Sequence, residues 1–237
     1  MNKKIKAVLF DLDGTLLPMN EDEFTKGYFS LLCKKLIPLG YDKDELIKTI
    51  WTGTKEMAKN NGIKTNEEVF WKAFANVYGK EKLKDKQVFD EFYLTDFKKA
   101  QTFCKENKFE KQLVNAAKDK GLKTILSSNP VFPRNGMVTR LGFVGLNEND
   151  FDYITSYENA HFSKPNPKYF QEILDINNLK SDEVILFGNS EVEDIIPARS
   201  CGIQGYLVGD CVSLQNEKSE NKILTYDDAL SLIKQLD

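Results

Sequence analysis

The sequence predicts an α/β fold, a doubly wound parallel sheet interrupted after its first strand by an all-helical insertion. Three observations predict it. Val8, Leu9 and Phe10 form a short apolar run that stops at two carboxylates, Asp11 and Asp13, as a buried parallel strand does where it opens onto a ligand crevice. From about residue 20 to 104 apolar side chains recur at helical spacing and no run reads as strand. From about residue 109 strands and helices alternate, the pattern of a parallel sheet covered on both faces.

The elements follow in order. Residues 4–10 are the first strand. Phe24, Tyr28, Leu31, Leu32 and Leu36 share one helical face. Leu46, Ile47, Ile50 and Trp51 begin a second helix, ended by Asn60-Asn61-Gly62. Val69, Phe70, Ala73, Phe74, Val77 and Tyr78 make a third, closed by Gly79, and Phe89, Tyr93 and Phe97 are placed on a fourth. Helices of a small bundle need large side chains to bury enough area, so these aromatic stripes read first as core. A helix with Leu113, Ala116 and Ala117 ends at Gly121, and Leu122 to Ser127 is a strand. Asp152 to Ser156 is a shorter strand. A helix opens at Asn166-Pro167, cap then first turn, and carries Tyr169, Phe170, Ile173 and Leu174. Val184 to Phe187 is an unbroken apolar strand, followed by a helix bearing Ile195, Ile196 and Ala198 that stops at Gly202. Tyr206 to Val208 is another strand, and a last helix covers roughly 227–236.

At 237 residues the chain can bury a sizeable core. A net charge of −3 gives no basic footprint for nucleic acid. Arg134, Arg140 and Arg199 are the only arginines, so a guanidinium-lined phosphate site is not expected and a lysine would do that work. Cys33, Cys104, Cys201 and Cys211 are far apart and form no CxxC pair, which fits reduced thiols rather than zinc or disulfides. The apolar run Ala7 to Phe10 is too short for a signal peptide and no segment approaches membrane-spanning length, so a cytoplasmic protein without a membrane partner is expected.

Three strand ends carry conspicuous polar residues: Asp11-Leu12-Asp13-Gly14-Thr15, Ser127-Ser128-Asn129-Pro130, and Gly188-Asn189-Ser190 with Glu191, Glu193 and Asp194 beyond. Ser163-Lys164-Pro165 stands just before a helix. In a parallel sheet these ends meet on one edge. Carboxylates, a hydroxyl, an amide and one ammonium suit a metal-assisted reaction on a phosphate better than hydride transfer or serine hydrolysis. Taken singly, each has a plainer reading: Asp-Gly is a turn signal, Ser-Asn-Pro a loop and cap, a lysine before a helix a surface residue, and acids after a strand helix-end charges. His161 is the only histidine and no proposed step needs it.

With these motifs in this order, the chain resembles phosphatases of the haloacid dehalogenase (HAD) superfamily that carry a helical C1-type cap, the phosphoglycolate phosphatase-like members. The resemblance implies a Rossmann-like core, 1–17 and 105–237, and a cap, 18–104, which would close over the site and govern substrate choice. It implies Asp11 as nucleophile and Asp13 as general acid and base. It implies Ser128 and the backbone N–H of Asn129 as grips on phosphate oxygens, and Lys164 as the cation that neutralises phosphate and orients Asp11. Mg²⁺ would be held by Asp11, Asp13, the position of Asn189, and Asp194. The implied activity is Mg²⁺-dependent hydrolysis of a small phosphorylated metabolite through an aspartyl-phosphate.

One departure stands out. The family's fourth motif usually begins Gly-Asp, and here that acid is Asn189. An amide oxygen brings no charge, so metal affinity should drop unless Glu193 or Glu191 compensates. That leaves open a catalytically weak protein retained for binding a phosphorylated ligand or a protein partner. It also leaves a phosphomutase that passes the same phosphoryl group to a second hydroxyl. Dehalogenation is disfavoured, because that branch lacks the second aspartate. The substrate and the oligomeric state are not written in any motif.

Overall fold

The computed structural model describes residues 4–105, 108–216 and 219–236. Its centre is a six-stranded sheet in the order β3-β2-β1-β4-β5-β6, and every pairing is parallel. The strands are β1 (Ala7–Phe10), β2 (Lys123–Leu126), β3 (Tyr153–Ile154), β4 (Val184–Gly188), β5 (Gln204–Val208) and β6 (Ile223–Leu224). The chain builds β1 to β3 toward one edge, then returns to the other side of β1 and builds β4 to β6 toward the opposite edge. The order therefore reverses beside β1, the place where doubly wound sheets open their ligand crevice.

Alternation along β1 explains its unbroken apolar run. Val8 and Phe10 join the large core that includes α5 (Glu110–Asp119), α9 (Tyr226–Gln235) and the helical segment. Ala7 and Leu9 face Tyr169, Phe170 and Ile173 of α7 (Pro167–Asn177) and Ala198. A central strand buried on both faces has no solvated side to which a polar residue could turn.

Between β1 and α5 lie α1 (Glu21–Leu36), α2 (Lys43–Ala58), α3 (Asn66–Tyr78) and α4 (Lys86–Leu94), then a 3₁₀ run Asp96–Phe103. The chain leaves and re-enters the core side by side: Lys105 N donates to Pro18 O at 2.8 Å, and Met19 bridges Cys104. Phe97 falls on the 3₁₀ run rather than on the helix of Phe89 and Tyr93, because Thr95 breaks the helix with φ −122° and ψ −86°. It still joins the same aromatic cluster, with its ring centroid 5.2 Å from that of Tyr93.

Two elements carry no signal in the sequence pattern. The helix α6 (Arg134–Phe143) contains Gly136, Gly142 and two arginines, which blur its apolar stripe. The edge strand β6 is only two residues long. The helix expected across Ile195, Ile196 and Ala198 is instead a π-helical turn, Glu191–Ile195, continued by α8 (Ile196–Ser200). Such turns recur at functional sites. Among the described residues no helix is long and apolar enough to cross a membrane, and the four cysteines are free.

Candidate active site

The three polar strand ends converge as the topology requires. Asp11 N donates to Phe187 O at 2.9 Å and Ser127 N to Phe10 O at 2.8 Å, which sets the ends of β1, β2 and β4 side by side. Asp11 accepts at Oδ1 from Lys164 Nζ (2.7 Å) and at Oδ2 from Thr15 Oγ1 (2.9 Å). Lys164, 3% exposed, also donates to Asp194 Oδ1 at 2.5 Å. Burial works to lower the Lys164 ammonium's pKa, but Asp11 and Asp194 overcome it and hold the group well above its ordinary value. Burial pushes the Asp194 carboxyl up, and Lys164 opposes that shift. A lysine introduced by a loop before α7 is thus the hub of a buried ionic cluster rather than a surface charge.

The other predicted residues take definite places. The Ser128 carbonyl accepts from Thr155 Oγ1 and from the Tyr169 hydroxyl, both at 2.8 Å, so the backbone of Ser128-Asn129 is fixed beside Asp11. Asn129 Oδ1 is buried without a partner. Asn189 donates its amide to Cys211 O at 3.0 Å. The same amide lies where a Cβ on Gly14 would be, 2.1 Å from it. Gly14 also has φ +80°, so position 14 excludes a side chain on both counts. Asp194 accepts from Ser190 N at 3.0 Å through its second oxygen.

Of the two acids that could compensate at Asn189, Glu191 is committed elsewhere. It accepts from Gln215 N (2.8 Å), Ser219 Oγ (2.7 Å) and Asn221 Nδ2, tying down the loop after β5. Glu193 instead lines the cavity, 3.5 Å from Asn129 Nδ2. Burial pushes its carboxyl up, against the pull of Lys164, and the charge of Asp11 adds to the rise. His161 lies against Glu172 on α7, at 2.6 Å, and does not line the cavity.

Three residues at the site had no motif to mark them. Arg140 of α6 is fully buried and its Nη1 donates to Asp13 Oδ2, so a guanidinium does stand at the site, against expectation, although it meets an aspartate. Its charge also lies over the Phe132 ring, 4.2 Å from the centroid. Burial pushes the Asp13 carboxyl up and Arg140 opposes the rise. Asn66, fully buried at the start of α3, donates toward Pro130 O (3.2 Å), Phe162 O (3.3 Å) and Ser163 Oγ (3.0 Å), joining the helical segment to the loops that carry Asn129 and Lys164. Glu21, in the first turn of α1, adds another carboxylate to the cavity. The one available hint for Arg140 was the scarcity of arginine.

An α/β sheet with an acid pair at its switch point, a buried lysine bridging two aspartates and a cavity of about 450 Å³ above them define an enzyme-type crevice of the hydrolase class. The chain belongs to the haloacid dehalogenase-like hydrolase family, whose sequence model matches residues 8–208. Among solved structures it is similar to an HAD phosphatase from Thermococcus onnurineus, with a TM-score of 0.58 at 19% identity over 97% of this chain and 98% of that one. It is also similar to CbbY from Rhodobacter sphaeroides in complex with phosphate, with a TM-score of 0.59 at 14% identity over 96% of both chains. A curated relative, haloacid dehalogenase-like hydrolase domain-containing protein 3 of Danio rerio, is 34% identical over 58 residues, which spans 24% of this chain and 24% of that protein.

Proposed function

We propose that the protein is a phosphomonoesterase, with Asp11 as nucleophile, Asp13 as acid and base, and residues 18–104 as a cap over the site. The observation that carries this reading is Lys164 bridging Asp11 and Asp194 in a buried cluster at the mouth of the switch point. One carboxylate oxygen of Asp11 attacks phosphorus while the bond to the leaving oxygen breaks. Asp13 gives its proton to that oxygen, and the product alcohol departs. A water then attacks the aspartyl-phosphate, loses its proton to Asp13, and releases inorganic phosphate and the Asp11 carboxylate. Ser128 and the backbone N–H of Asn129 hold the phosphoryl oxygens. Lys164 offsets their charge in a site where preorganised charge acts strongly.

A divalent cation fits the chemistry of the residues present. Asp11, Asp13, Glu21 and Glu193 face one cavity, and Asp13 Oδ1 is buried without a partner. Among the described residues no three acidic, histidine or cysteine side chains converge closely enough to hold a metal unaided. Mg²⁺ ordinarily keeps several waters and shares substrate phosphate, so it needs few protein ligands. Asp11, the backbone carbonyl of Asp13, and Asn189 would hold it, and the ion would supply positive charge to the phosphoryl group. Asp194, expected as a fourth ligand, has both oxygens engaged by Lys164 and Ser190 N and would steady Lys164 instead.

Turnover of 4-nitrophenyl phosphate in millimolar Mg²⁺ tests the reading. Asp11→Asn is expected to abolish it. Activity that persists in that variant would refute the nucleophile assignment, and no turnover by the parent protein would sink the phosphatase reading itself.

A further inference from the structure

Above the acids, the cavity is walled by rings contributed from both sides of the crevice. Trp51, Phe70, Trp71 and Tyr93 come from the helical segment, and Phe132 and Tyr157 from the core. Every charged side chain lining it is an acid: Asp11, Asp13, Glu21, Glu193 and Asp194. Among the described lining residues there is no lysine, arginine or histidine. Both nearby cations are already engaged, Lys164 beneath Asp11 and Arg140 behind Asp13.

Most polar atoms on the ring side of the wall are engaged too. The Tyr28 and Tyr93 hydroxyls pair at 2.9 Å, the Trp71 indole N–H donates to Tyr157 Oη at 3.2 Å, and Thr54 donates to Ile50 O at 3.0 Å. Set against these rings, a polyhydroxylated ligand would bury hydroxyls that find few free partners there, which is costly. A second phosphate or a carboxylate would lie among Glu21 and Glu193 with no cation to meet it. A flat apolar ring, by contrast, would stack edge or face against the wall. The volume, about 450 Å³, lies in the range of small-molecule pockets.

We propose that the ligand is a phosphate monoester of an aromatic or other flat apolar alcohol, with one phosphate and no second anionic group. This rests on the phosphatase reading for its chemistry: the ester's O–P bond breaks, its oxygen takes the Asp13 proton, and water completes phosphate. Trp51, 45% exposed on α2, forms a ring wall whose loss need not unfold the protein.

The test compares benzyl phosphate with phosphoglycolate and glycerol phosphate on the full chain in Mg²⁺. The expected result is a kcat/KM for benzyl phosphate at least about tenfold higher, expressed mainly in KM. Equal or better use of either ring-free ester overturns the proposal. If no ester is turned over, the phosphatase reading falls by itself, and tryptophan fluorescence of the Asp11→Asn variant then decides the ligand class. Tighter binding of benzyl phosphate than of phosphoglycolate sustains it, and equal or weaker binding overturns it. Trp51→Ala should raise KM for benzyl phosphate several-fold more than for phosphoglycolate; a rise shared equally by both would remove the aromatic wall from specificity.

Discussion

Asp13 is aimed by a residue 127 positions further along the chain. The Arg140 guanidinium is fully buried and binds Asp13 Oδ2, which leaves Oδ1 buried without a hydrogen-bond partner beside a cavity that Asp13 lines. Burial favours the protonated acid, as the proposed proton donor requires, and Arg140 opposes that rise, as the proposed later step as a base requires. Removing the guanidinium removes the restraint. Arg140→Met is therefore expected to move the alkaline limb of the kcat/KM profile to higher pH and to lower kcat roughly 10²-fold through misplaced proton transfer. Arg140→Lys should keep the limb near its original position. An unshifted limb in Arg140→Met would exclude this positioning role. Asn189 makes a second case. An aspartate there would set a carboxylate oxygen against the Cys211 carbonyl in place of the present 3.0 Å hydrogen bond. Asn189→Asp should lower Tm in EDTA and recover more of it with Mg²⁺ than the parent protein does.

At the scale of elements, α3 joins the two halves of the crevice. Its N-terminus begins on core backbone, with Asn66 N donating to Ala160 O and Glu67 N to Tyr157 O, both at 2.8 Å. Asn60 donates to Asn66 Oδ1 at 2.9 Å, which leaves the Asn66 amide free to point into the core loops. Asn66→Ala takes a donor from those loop acceptors and leaves the Asn60 amide only Lys64 O, and is expected to cost about 1–3 kcal/mol. In a domain of this size that lowers Tm by roughly 2–4 °C per kcal/mol. It should also raise KM, because the loops of Asn129 and Lys164 lose a shared anchor. Unchanged Tm and KM would show the latch to be idle. The capping box at Thr65 and Glu68 sets where α3 starts. Nothing local marks Asn66, just inside that start, as a tertiary contact.

For the whole molecule, the proposed cation would tie folding to ion binding through the acids of the crevice. Asp11, Asp13, Glu21 and Glu193 raise the electrostatic cost of the closed cavity, and burial with mutual repulsion pushes Glu21 up as well. A divalent cation that binds only the folded state stabilises it by mass action. Millimolar Mg²⁺ is expected to raise Tm, EDTA to reverse the rise, and Asp11→Asn to shrink it. A Tm indifferent to Mg²⁺ would show that these carboxylates hold no metal.

The sequence by itself determined the doubly wound sheet, the helical stretch after β1, and the meeting of Asp11, Ser128, Lys164 and Asn189 on one edge. Each of these follows from short-range pattern: apolar runs bounded by polar residues, helical spacing, and the parallel order that collects strand ends. Only the tertiary structure decided that Arg140 holds Asp13, that Asn66 fastens α3 to the core loops, and that Glu191 ties a loop while Glu193 faces the cavity. Those choices depend on where long side chains end after packing. No periodicity records that, because an arginine on a glycine-broken helix reads alike whether it reaches solvent or a buried carboxylate. The aromatic stripes show the same division: apart from Trp51, which is 45% exposed, their burial was legible in the spacing, and the cavity they leave above the acids was not.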